Sequence, residues 1–268
     1  MVKKRLIPVL LLKNGWLVQS KSFLNFQNLG NPITAVKRLS EWAADELIYL
    51  DISSNNIYDI RREDQRYPNR KNFLEIISDV SKYTFMPITV GGKIENLEKI
   101  NQFLKNGADK ISINKITRIN PSFVKVASKE FGSQCIIVSV DVKYVDGNYF
   151  VFNHEDKKVT NLKVIEWVKK MEDYGAGEIL LNSVNRDGMK NGYDINLINR
   201  VSETINIPII ACGGAGHWDH FLEVFSKTNI AAVAAANIFH YRDQSVYLAK
   251  KYLYDKGIKV RKPSLIDI

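Results

Sequence analysis

Pro87-Ile88-Thr89-Val90-Gly91-Gly92 and Pro208-Ile209-Ile210-Ala211-Cys212-Gly213-Gly214 decide the fold. Each runs a short apolar strand into paired glycines, and helix-like sequence follows. Their prolines stand about 120 residues apart in a chain of 268, close to half its length. A glycine pair lets bare backbone N–H groups approach an anion, because no Cβ holds it away. Two such loops in equivalent positions imply two similar half-barrels, each with an anion-facing rim.

Eight short apolar runs, over 5–12, 46–52, 86–90, 110–114, 135–141, 178–183, 207–212 and 231–235, read as parallel strands buried on both faces. Between them apolar residues recur at intervals of three and four. That pattern predicts helices over 33–44, 72–82, 97–106, 121–131, 162–174, 194–204 and 217–226, with a last one over about 244–255. Asn31-Pro32 and Asn120-Pro121 supply helix starts, with Asn as the cap and Pro in the first turn. Eight βα units in this length give an α/β fold, a (β/α)8 TIM barrel. One domain, residues 1–268, holds everything, with a longer loop at about 54–72. A doubly wound sheet fits less well, since no Gly-x-Gly-x-x-Gly turn follows the first strand.

With 45% hydrophobic and 25% charged residues, the composition is that of a soluble globular protein. No apolar run approaches the roughly 18–20 residues of a membrane span. The basic N-terminus lacks a small-residue cleavage site and reads as the approach to the first strand. Cys135 and Cys212 both fall in predicted strands, which implies a reducing, cytoplasmic setting without disulfides. The net charge is +9, densest over Arg61–Lys71. A nucleic-acid partner would need a recognition motif, and none accompanies the charge. A Lys-rich solvated surface and an anionic small-molecule substrate both fit it.

In a barrel the residues just after each strand form the reactive face. Asp141 ends the fifth strand, as a proton-transferring carboxylate or a structural acid tied to Lys143. Asp51 ends the second. Asp187-Gly188 follows the sixth, either as a plain turn or to orient backbone donors toward a phosphate. Ala236-Asn237 opens the loop after the eighth, where barrels bind phosphate through backbone N–H groups. Asn114 either bonds a substrate or satisfies its own loop. Lys93 and Lys115 either flank one anion pocket or point to solvent. His154, His217, His220 and His240 show no metal-ligand spacing, so neither metal nor cofactor is expected. At the opposite end Arg5, Glu46, Lys110 and Glu178 open strands one, two, four and six. Their alternating signs predict a salt-bridge ring plugging the barrel floor.

From Lys4 to about Val260 the chain resembles the HisF family, the cyclase subunit of imidazole glycerol phosphate synthase. The resemblance rests on Asp45-Glu46-Leu47, Thr89-Val90-Gly91-Gly92, Gly107-Ala108-Asp109-Lys110-Ile111-Ser112-Ile113-Asn114, Phe131-Gly132-Ser133-Gln134, Gly175-Ala176-Gly177-Glu178, Arg186-Asp187-Gly188, Gly192-Tyr193-Asp194 and Gly213-Gly214-Ala215-Gly216. It implies a TIM barrel that docks a glutaminase on its N-terminal face. Ammonia would cross to the C-terminal face, where a substrate with two phosphates is cleaved and cyclised. The family's charged ammonia gate matches Arg5, Glu46, Lys110 and Glu178, and Asp109 matches a glutaminase-interface residue.

The resemblance breaks at the reactive face. The family uses an aspartate after the first strand and one after the fifth; Asp141 keeps the second, and Leu11 replaces the first. Lys93 replaces a third glycine, Lys115 a threonine, Asn185 an aspartate and Gln19 a loop lysine. Preserved ammonia machinery beside a remodelled face implies a changed acceptor. The stretch Leu11–Phe23 looks like the HisF-like branch of bacterial surface-polysaccharide loci. That branch works with a glutaminase and a separate sugar amidotransferase to turn an N-acetyl group into an acetamidino group. Amidine formation on a sugar is therefore the expected role. The alternatives are a histidine-pathway cyclase tolerating Leu11 and a non-catalytic scaffold.

Overall fold

A computed structural model describes residues 3–54, 57–59, 63–64, 67–68, 70–240 and 245–265. The continuous apolar runs form eight parallel strands: β1 (Arg5–Lys13), β2 (Leu47–Asp51), β3 (Ile88–Gly91), β4 (Lys110–Ile113), β5 (Ile136–Val145), β6 (Glu178–Ser183), β7 (Ile209–Cys212) and β8 (Ala232–Ala235). Each pairs with the next, and β8 returns to β1 with Ala232 opposite Arg5, so the sheet closes into a barrel. Outside it run α1 (Pro32–Glu41), α2 (Phe73–Val80), α3 (Leu97–Lys105), α4 (Phe123–Phe131), α5 (Val164–Asp173), α6 (Ile195–Ser202), α7 (Trp218–Lys227) and α8 (Ser245–Asp255). Their apolar stripes bury against the outer strand faces; Phe73, for example, meets Tyr49 and Phe103 edge-on at 5.5 Å.

Inside the barrel, Ile7, Val9, Ile48, Ile137, Leu180, Ile210, Ala232 and Ala234 form one buried apolar cluster. The other arc carries hydroxyls. Thr89 stands level with Ile48, Ser112 with Ile137, and Ser139 with Leu180, and all three are buried. The axis thus has an apolar side and a hydroxyl stripe. At the floor, Lys250 of α8 is fully buried and donates to Ala43 O at 2.9 Å and to Asp45 Oδ1 at 2.7 Å. Burial pulls this ammonium's pKa down, and Asp45 opposes that pull.

All eight predicted strands form. The fifth starts one residue later than predicted, because Cys135 closes a 3-10 turn over Ser133–Cys135. Asn31 caps α1 as expected, its Oδ1 accepting from Ile33 N at 2.9 Å. Asn120-Pro121 does not start a helix. Asn120 ends a short helix, Lys115–Ile119, and α4 begins at Phe123. Two antiparallel hairpins stand where the sequence predicts none. One, Trp16–Lys21 with Asn25–Gly30, extends β1. The other, Asn148–Asn153 with Lys158–Lys163, extends β5. Both leave the C-terminal ends of their strands, so both flank the mouth. Part of the loop at about 54–72, including Arg61, Arg62 and Arg66 of its basic stretch, lies outside the described residues. No helix among the described residues is long and apolar enough to cross a membrane.

Candidate active site

Asp141 reaches the barrel mouth through the inward alternation of β5, after Ile137 and Ser139. It is buried, and three donors converge on its two oxygens. Asn114 Nδ2 donates to Oδ2 at 2.8 Å, Asn182 Nδ2 donates to Oδ1 at 3.2 Å, and His154 Nδ1 stands 3.2 Å from Oδ2. Lys143 is not its partner; that ammonium sits over the Phe152 ring. A charged carboxylate surrounded by donors and shielded from water is suited to orienting or exchanging protons. Leu11 comes off β1 opposite Leu50 and lines the same mouth with Leu50, Cys212 and Ala236. The other carboxylate near this mouth is Asp187, whose charge acts on Cys212 and which feels that of Asp141.

Asn114, expected to bond a substrate or to satisfy its own loop, bonds Asp141 across the mouth. It links Asp141 to the rim, since its Oδ1 accepts from Arg118 Nη1, while Arg118 Nη2 donates to Asn153 Oδ1 at 3.1 Å. Lys115 and Lys93 each lie beside a carboxylate rather than free in solvent. Lys115 pairs with Glu155 at 2.9 Å, a hydrogen bond that raises its pKa. Lys93, in a left-handed conformation, lies 3.7 Å from Asp51. Asp51 also accepts from Ser53 N and Tyr58 OH at 2.9 and 2.8 Å, which makes it the anchor of its own loop.

The glycine pairs answer a packing need. A Cβ on Gly92 would run into the Asp51 carbonyl oxygen, and one on Gly214 into that of Gly192. Gly213 packs likewise against Ser183 O. Asp187 is turned to the first hairpin: Ser20 Oγ and Phe23 N donate to its Oδ2 at 3.0 and 3.2 Å. Burial raises its pKa, and the charge of Asp141 adds to the rise. A Cβ on Gly188 would press on Lys21 Cα, so the 187–188 turn seats that hairpin. Ala236 lines the mouth, and Asn237 Nδ2 donates to Ser20 O at 2.7 Å. Asn182 Oδ1 and Asn237 Oδ1 are buried and accept no hydrogen bond. Each such orphan costs about 1–3 kcal/mol, a strain that concentrates at sites of function.

At the barrel floor the predicted ring forms. Arg5 pairs with Glu46 at 2.6 Å and Glu178 at 3.0 Å; Lys110 pairs with the same two at 3.2 and 2.8 Å. Asp109, on this face, accepts from Ile88 N at 2.8 Å and caps the start of β3. The sequence reading missed His154, Asn182 and Arg118 at the mouth. A hairpin signal after Asp141, around Asp146-Gly147, would have brought the 148–163 segment back over it. His217 caps α7, and His220, within that helix, accepts from Gly216 N at 3.1 Å.

Residues 5–245 match the family model described as "Histidine biosynthesis protein". Three similar curated proteins carry the name imidazole glycerol phosphate synthase subunit HisF. That of Staphylococcus carnosus is 40% identical over 263 residues, covering 97% of this chain and 99% of its own. That of Geobacillus kaustophilus is 41% identical over 263 residues, with 97% and 100% covered. That of Streptococcus mutans is 38% identical over 262 residues, again with 97% and 100% covered.

Proposed function

We propose a function from one established premise: the chain belongs to the histidine biosynthesis protein family and is HisF-like along almost its whole length. In our reading it is the ammonia-accepting synthase subunit of a glutamine amidotransferase complex. A glutaminase covers the N-terminal face, where Asp109 stands. Ammonia enters through the Arg5–Glu46–Lys110–Glu178 ring, which parts between strands one, two, four and six. It crosses beside the Thr89–Ser112–Ser139 hydroxyls, which suit a small polar molecule better than a wholly apolar bore does. It reacts at the mouth with an anionic acceptor beside Asp141, held at the rim by Gly92, Gly188, Gly213, Gly214, Ala236 and Asn237 through backbone donors.

Leu11 carries our reading of the acceptor. It occupies the corner where the resemblance expects an aspartate, among Leu50, Cys212 and Ala236. A leucine exchanges no proton, so a cyclisation that needs two carboxylates has lost one. We therefore favour a changed acceptor: a sugar derivative converted to an acetamidino sugar for a surface glycan, with a separate sugar amidotransferase as the further partner. A second reading, the cyclase of histidine biosynthesis, is favoured directly by the relatives, all named as HisF subunits. Complementation of a histidine auxotroph lacking the cyclase separates the two. The expected result is no growth with the wild-type chain. Growth would overturn the changed acceptor and leave the cyclase.

A further inference from the structure

Asp141 and His154 meet 3.2 Å apart although thirteen positions separate them. They meet because β5 turns back through the 148–153 strand, where Val151 faces Val142, and His154 stands in the turn beyond it. The His154 side chain keeps 39% of its surface exposed, that of Asp141 only 5%. Asn114 and Asn182 fix the carboxylate from its other sides. With a carboxylate on Nδ1, the neutral ring carries its proton on that nitrogen and presents a lone pair at Nε2. No described group bonds Nε2.

We propose that His154 and Asp141 form an acid–base dyad in which His154 Nε2 is the proton-transfer atom of the mouth, filling the role that Leu11 has vacated. The inference rests on the reading of the mouth as the reacting end. When ammonia's lone pair bonds an electrophilic carbon, the nitrogen becomes cationic and sheds a proton. Nε2 takes that proton, and the imidazolium formed is held beside the Asp141 carboxylate. Return of the same proton to the oxygen that took up the carbon's electron pair restores the neutral ring. The charges around the pair are otherwise matched. Lys115 and Arg118 face Glu155, and Asp156 accepts from Asn153, so Asp141 is the charge to which the ring answers. Burial of the Asp141 carboxylate strengthens the contact.

A purely structural clasp is the competing account, and two measurements on the full chain decide between them. Nitrogen NMR of the His154 ring should show Nδ1 protonated and Nε2 bare in the wild-type chain, a tautomer preference that should be lost in Asp141→Asn. His154→Gln should lower kcat by about a hundredfold or more, with KM little changed and hairpin amide protection intact. That assay uses whichever acceptor turns over, imidazole-glycerol-phosphate precursor or sugar. The same tautomer in Asp141→Asn as in the wild type, or full turnover by His154→Gln, overturns the dyad. Should Asp141→Asn not fold, an Nε2-protonated ring in the wild-type chain overturns it as well. A pinned ring with neither acceptor turned over would instead sink the acceptor reading and leave the dyad standing.

Discussion

Asp141 receives three donors on two oxygens, so even the isosteric Asp141→Asn turns one acceptor into a donor facing another donor. We expect turnover with glutaminase-derived ammonia to drop at least about a hundredfold, with the complex intact by gel filtration. Turnover at the normal rate would make the chain a scaffold. His240 offers a different test, through pH. Burial beside Arg38 lowers its pKa to about 4 in the folded chain, against 6.5 for an ordinary histidine. Between those values the unfolded chain binds a proton that the folded chain refuses, so stability falls as pH drops from 6.5 toward 4. The slope is at most about 1.4 kcal/mol per pH unit. Urea unfolding at pH 7 and pH 5 should show His240→Gln losing about 2 kcal/mol less than wild type; equal losses would rule the histidine out. At this scale the sequence was half legible. Asp141 and the floor ring follow from strand ends alone, but the His154–Asp141 contact depends on a hairpin register that no local spacing announces.

The eight barrel strands were readable because burial on both faces leaves a nearly unbroken apolar run, as in Leu6–Leu12. The hairpins were not. Asn25–Gly30 and Lys158–Lys163 are largely solvent-exposed and polar, so neither periodicity marks them. They are held by contacts distant in sequence, and Asp187 is the main one for the first. Its carboxylate holds Ser20 and Phe23, its carbonyl accepts from Ser22 N at 3.1 Å, and Asn237 grips Ser20 O from β8's end. Asp187→Ala should strip the two carboxylate bonds, to Ser20 and Phe23, at a cost of about 1–3 kcal/mol, mostly local. Hydrogen exchange at Lys21–Leu24 should accelerate at least about tenfold while the barrel strands keep their protection. Unchanged exchange there would mean that the hairpin stands without Asp187.

Across the whole molecule the polar groups sort to the two ends of the bore, and the floor ring is the more exacting end. Two cations and two carboxylates close a cycle of four ion pairs in a partly buried layer. Burial alone would push the Glu178 carboxyl up, but the hydrogen bonds and charges of Arg5 and Lys110 hold it below the usual range. Its contribution to stability is therefore complete above about pH 4.5 and is lost as pH falls through that depressed value. Glu178→Gln leaves two cations on Glu46 alone, and we expect a loss of about 3–5 kcal/mol at pH 7 that narrows in acid. Removing all four charges together is a different experiment. Well-packed apolar replacements of buried ion pairs are commonly neutral or stabilising, because the desolvation cost disappears with the charges. An Arg5→Met, Glu46→Leu, Lys110→Met, Glu178→Leu chain should thus lie within about 2 kcal/mol of wild type. A ring kept only as a plug would be replaceable in this way without functional loss. A ring that admits ammonia would not be: glutamine-driven turnover should collapse in the fourfold variant while turnover driven by added ammonium persists. Equal retention of both would return the ring to a structural role.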